Sequence, residues 1–147
     1  MIKKRGLCSA SNLHAVWDNC IVDRRVFLGK RLAQDKGWSH FTRAYRAADQ
    51  LLSGVTDEDI REWGNSEIWE WAAESFDLAR APEVQYCQMV DGSCVYSEES
   101  DTLDDGEALR VIQMNDAYLD RHTDTVATQL TKAGVRLGLM LTEALGQ

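Results

Sequence analysis

Apolar residues recur at three- and four-residue spacing along most of the chain, the rhythm of a helix with one buried face. Leu13, Val16, Trp17, Cys20 and Ile21 form the first such stripe. Ser11 or Asn12 can cap it, and Gly29 is a stop signal shortly after residue 27. A second helix is expected over residues 41–52, ending at Ser53-Gly54. "TDEDIREWG" reads as a short capped helix, with Thr56 or Asp57 at the N-cap, acidic residues in the first turn and Gly64 at the end. Asn65 or Ser66 then caps "EIWEWAAESFDLAR", whose Ile68, Trp69, Ala72, Phe76 and Ala79 share a face, and Pro82 discourages continuation.

The rhythm breaks over residues 83–106. "VQYCQMVDGSCVY" suits a small hairpin or an excursion, and "SEESDTLDDGE" reads as a solvated acidic loop. Helical spacing then returns in "EALRVIQMNDAYLDRHTDTVATQLTKAGVRLGLMLTEAL", as one long helix or two with a break. Gly134 and Gly138 form a G-x-x-x-G, but Lys132, Arg136 and Glu143 exclude the membrane setting in which that spacing drives dimerisation. Its plainer meaning is a close helix–helix approach at a small-residue face. No stretch approaches about 18 uncharged apolar residues, so no transmembrane helix is expected. With no internal repeat and no linker, residues 1–147 are read as a single all-α domain, a helical bundle.

Composition supports this reading. A chain of 147 residues, 44% hydrophobic and 27% charged, can bury a core and is not disordered in bulk. Its single proline favours long uninterrupted helices, and its five tryptophans are natural packing anchors. A net charge of −8 rules out nucleic-acid binding by bulk electrostatics, so any such chemistry needs bound cations or a local basic patch. The cysteines, Cys8, Cys20, Cys87 and Cys94, include no C-x-x-C pair, which argues against a zinc ribbon. Cys87 and Cys94 bracket an Asp-Gly turn that can bring them together; a disulfide there would suit an exported protein, and two small buried thiols are the open alternative. "MIKKRGLCSASN" is basic with no apolar run behind it, so it is not a secretory signal.

The candidate chemistry sits in "SNLHAVWD". His14 and Asp18 are four apart, which on a helix puts their Cβ atoms about 5–6 Å from each other. An imidazole nitrogen and a carboxylate oxygen so placed can each reach the roughly 2.0–2.2 Å that zinc requires. An isolated H-x-x-x-D is common by chance, and an exposed His–Asp pair is its simple alternative. The adjoining Leu13, Val16 and Trp17 stripe favours the edge of a cleft. His40 follows a turn, and His122 lies between Asp120 and Asp124 in a charged stretch; both read as surface residues or as supports behind a site. No nucleophile elbow and no phosphate-cradling glycine loop is present.

"SNLHAVWDNCIV" resembles the N-L-H-x-x-W-D signature of the S1/P1 nuclease family, zinc-dependent single-strand nucleases and 3′-nucleotidases. "EWAAES" is similar to the tryptophan-and-glutamate helix that family carries downstream, and "AYLDRHTDTVATQLTKAGVRLGLMLTEAL" to its closing helix. The resemblance implies a helical bundle related to zinc-dependent phospholipase C. It also implies three Zn2+ ions that polarise the phosphodiester, activate a bound water and stabilise the leaving 3′-oxygen. Carried over, His14 and Asp18 are ligands to one zinc, Asn12 lies at the substrate edge of the cleft, and Trp17 packs. Single-stranded DNA or RNA, or nucleotides, are the implied substrates, and a secreted or periplasmic location is implied as well.

The family's other ligands, including an N-terminal tryptophan, lie upstream of that motif. The chain is therefore expected to be the C-terminal half of such a nuclease, truncated at its N-terminus and supplying ligands for one zinc at most. On that expectation it has little activity alone, leaves an apolar face uncovered, and self-associates or pairs with a complementing N-terminal half. The alternative is a non-catalytic helical binding module derived from the nuclease.

Overall fold

The computed structural model describes residues 12–27, 39–86, 88–90, 93–95 and 114–146. They fall into two compact units, one formed by Met1–Asn65 with Asn115–Gln147, the other by Ser66–Met114. The architecture is all-α, with one two-stranded hairpin as its β structure among the described residues.

In the first unit, α1 (Leu13–Ala15) runs without a break into a π-helix (Val16–Phe27). Of the two cap candidates Asn12 does the work: its Oδ1 accepts the Ala15 N–H at 2.8 Å. The expected stripe is present, and Val16, Cys20 and Ile21 are buried, Ile21 completely. The winding, however, is π beyond Ala15 rather than α. Helices α2 (His40–Leu52) and α3 (Asp57–Gly64) follow. Ser39 caps α2 by accepting the Thr42 N–H. Thr56 starts α3 with a reciprocal box: Thr56 Oγ1 accepts the Asp59 N–H, and Asp59 Oδ2 accepts the Thr56 N–H at 2.8 Å. Both bonds from Thr56, its hydroxyl first, hold the Asp59 carboxyl below its usual range.

The long helix α5 (Asp116–Leu145) is the spine of this unit and packs against the π-helix, α2 and α3. Asn115 caps it in the way Asn12 caps α1, accepting the Tyr118 N–H at 3.0 Å. Its far end stops at Gly146, whose φ of 66° is the left-handed conformation glycine adopts without steric penalty. Near α3, the Arg136 Nε–H donates to the Trp63 carbonyl at 3.4 Å and the Lys132 ammonium lies over the Trp63 ring. The close helix approach expected at Gly134 and Gly138 is not found among the described residues, since a Cβ at either would meet none of their atoms within 4 Å. It occurs at Gly64 instead, where a Cβ would sit 2.5 Å from Leu139 Cδ1. The G-x-x-x-G lies on an exposed face, so its spacing reflects no partner helix within the described residues.

The second unit holds α4 (Ile68–Ala79) and the hairpin. The N-cap of α4 is Glu67, one residue past the two expected: Glu70 Oε2 accepts the Glu67 N–H at 2.6 Å. Ser66 is used differently, accepting the Trp71 indole N–H at 2.7 Å. Along the shared face that the sequence predicts, Ile68, Trp69 and Phe76 are exposed. Strands β1 (Gln88–Val90) and β2 (Ser93–Val95) pair antiparallel with Val90 opposite Ser93, so the hairpin reading of this stretch holds. Asp91-Gly92, the pair between them, is the sequence that tight hairpins favour.

Candidate functional site

His14 and Asp18 meet as their spacing predicts. Nε2 of His14 lies 2.9 Å from Oδ2 of Asp18, with the two side chains 87% and 57% exposed. An exposed pair of this kind adds little to stability, because water screens it. Its donor types are those zinc takes, one imidazole nitrogen and one carboxylate oxygen, here turned toward each other at hydrogen-bond distance. Two donors about 2.05 Å from a tetrahedral ion would stand roughly 3.3 Å apart, so admitting one would part the pair by about 0.4 Å and turn both groups from each other toward the ion. Asn12 lies two residues before His14 with its Oδ1 committed to the cap, which leaves its amide N–H groups to face outward. Among the described residues, no group of three or more His, Cys, Asp or Glu side chains gathers into a metal-binding cluster.

Behind the pair lies a set of aromatic groups. Trp17 is half-buried, and its indole N–H donates to the Tyr118 hydroxyl at 3.1 Å. The Trp17 ring lies 5.3 Å from the His122 imidazole, and Tyr118 lies 4.4 Å from it, both tilted. Tyr118 and His122 are one turn apart on α5 and both are buried, His122 to 3% exposure. Burial holds the Tyr118 phenol above its ordinary pKa, and the bond from Trp17 offsets part of that shift. Trp17 thus packs, as its place in the apolar stripe suggests.

The surface reading of His122 is corrected by its burial. The misleading signal was its charged neighbours, Asp120, Arg121 and Asp124. Tyr118, His122 and Val126 recur at intervals of four, and that periodicity marks His122 as inward-facing. His40 is the first residue of α2. Cys20 is disulfide-bonded. The expected Cys87–Cys94 pairing involves Cys87, which lies outside the described residues.

No curated protein matches the chain, and no solved structure does. Among family profiles, the one described as S1/P1 Nuclease matches residues 3–146, a span that contains the His14–Asp18 pair and every helix from α1 to α5. With a match of that extent, the chain belongs to the S1/P1 nuclease family.

Proposed function

We propose that His14 and Asp18 are a ligand pair for a zinc ion in a phosphodiester hydrolase acting on single-stranded nucleic acid or nucleotides. The observation that carries the reading is the 2.9 Å approach of an imidazole nitrogen and a carboxylate oxygen within the region matched to a nuclease family. When bound, such an ion supplies positive charge to a phosphate and lowers the pKa of water. The chain's net charge of −8 is consistent with such a supply, because the protein as a whole repels a phosphate backbone. His14 and Asp18 would hold the ion through an imidazole nitrogen and a carboxylate oxygen, while Trp17 is turned toward α5. Asn12 offers its amide N–H groups at the same edge. The disulfide at Cys20 supports an oxidising compartment, secreted or periplasmic.

A two-donor set holds zinc weakly, with solvent completing the coordination, so the purified chain cleaves single-stranded DNA slowly or not at all. Calorimetric titration of the full chain with Zn2+ is expected to show weak binding that disappears in His14→Ala and in Asp18→Ala. Unchanged zinc binding in both variants would sink the ligand assignment. Complete absence of zinc binding in the parent chain would favour a non-catalytic helical module instead. Vigorous zinc-dependent cleavage lost in His14→Ala would overturn the expectation of low activity alone.

A further inference from the structure

We infer that Trp17, Tyr118 and His122 act together as a positioning device that sets the mutual aim of His14 and Asp18. The inference rests on the reading of that pair as metal ligands. His14 belongs to the α-helical turn Leu13–Ala15, whereas Asp18 belongs to the π-helix that begins at Val16. The change of winding therefore falls between the two ligands. Where it falls decides how far Asp18 is rotated about the helix axis relative to His14. A π-helix is an uncommon backbone form and does not persist on local hydrogen bonding alone, so something outside it must hold the wider turn open.

Trp17 is the second residue of that wider turn and the immediate neighbour of Asp18. Its indole N–H is bonded to Tyr118 and its ring lies against His122, both buried on α5. The contacts have two kinds of directionality. The N–H···O bond fixes the direction of the indole, and the flanking imidazole limits its tilt. A helix slipped toward α winding would swing the indole off both partners. Buried Val16, Cys20 and Ile21 anchor the same turn on its core side. Tyr118 and His122 are themselves registered by the Asn115 cap, whose acceptor takes the Tyr118 backbone N–H. The exposed ligand pair and the aromatic trio, half-buried Trp17 against buried Tyr118 and His122, thus share one junction, the ligands on the solvent side and the clamp on the core side.

The test uses the full chain with Zn2+ alone for affinity and Co2+ alone for its visible ligand-field spectrum. Tyr118→Phe removes the acceptor and keeps the ring; Trp17→Phe removes the donor and keeps an aromatic group. Each is expected to lower metal affinity about tenfold, as loss of a group that orients a ligand does. Each should also shift the Co2+ absorption bands while far-UV circular dichroism at the assay temperature stays at the parent value. A variant that fails this dichroism criterion is set aside and the other decides. Parental affinity and an unshifted Co2+ spectrum in the folded variants, with binding lost in His14→Ala, would overturn the positioning role and leave the ligand reading standing. Parental binding in His14→Ala would remove the ligand reading and the positioning role with it.

Discussion

The first and last thirds of α5 carry the same helical rhythm and meet different surroundings. Between Tyr118 and Val126 the apolar stripe, Tyr118, Leu119, His122 and Val126, is buried, and Tyr118 and His122 meet Trp17 of the π-helix. Between Leu137 and Leu145 the apolar residues Leu137, Met140, Leu141 and Leu145 are exposed. Periodicity states which residues share a face; it does not state whether anything covers that face. The difference matters for function, because the covered third is the one that reaches the segment bearing His14 and Asp18.

One substitution made in both places breaks the comparison most sharply. Leu119→Ala should cost about 3 kcal/mol, because it removes buried carbon and leaves a void. Leu141→Ala should change stability by no more than about 0.5 kcal/mol, since half that side chain already meets water. Urea unfolding of both variants measures the gap, and equal losses would mean that the two thirds are covered alike.

A smaller effect is expected where α3 leans on the outer part of α5. Thr56→Ala deletes the acceptor for the Asp59 N–H and should destabilise by about 1 kcal/mol. If that loss is transmitted along α5, the indole environment near Trp17 will change in near-UV circular dichroism. An unchanged spectrum below the transition would show that the covered third stands on its own contacts.

The smallest effect is a pH dependence that belongs to the covered third alone. Folding raises the pKa of Tyr118, so above about pH 10 the unfolded chain gives up a proton that the folded chain retains. Its contribution is complete below the unfolded value and is lost as pH rises through the folded one. Stability should therefore fall from about pH 10 upward, and less steeply in Tyr118→Phe. Identical slopes in parent and variant would mean that the phenol is not protected by burial.

What could be read from the chain follows the range of the forces involved. Caps and helix limits were legible because they depend on residues three or four apart, as with Thr56 and the Asn12 cap. The meeting of His14 and Asp18 was legible for the same reason. The π winding was not, because no residue pattern marks i-to-i+5 bonding and the element this segment packs against, α5, lies far along the chain. Nor was the use of Ser66, whose hydroxyl serves the Trp71 indole and leaves the cap to Glu67. His122 was obscured by charges on the opposite face of its own helix. The aromatic grouping with Trp17 spans 101 positions of sequence, a distance over which spacing says nothing.

Gly64 carries a consequence for how this chain can drift. A Cβ there would lie 2.5 Å from Leu139 Cδ1, so alanine at 64 must be met by a turned or shortened side chain at 139. The two positions form an epistatic pair, in which the order of change matters. Trimming at 139 first opens a passable route. A methyl at 64 first displaces the far end of a flexible, partly exposed leucine, a small cost that the other order avoids.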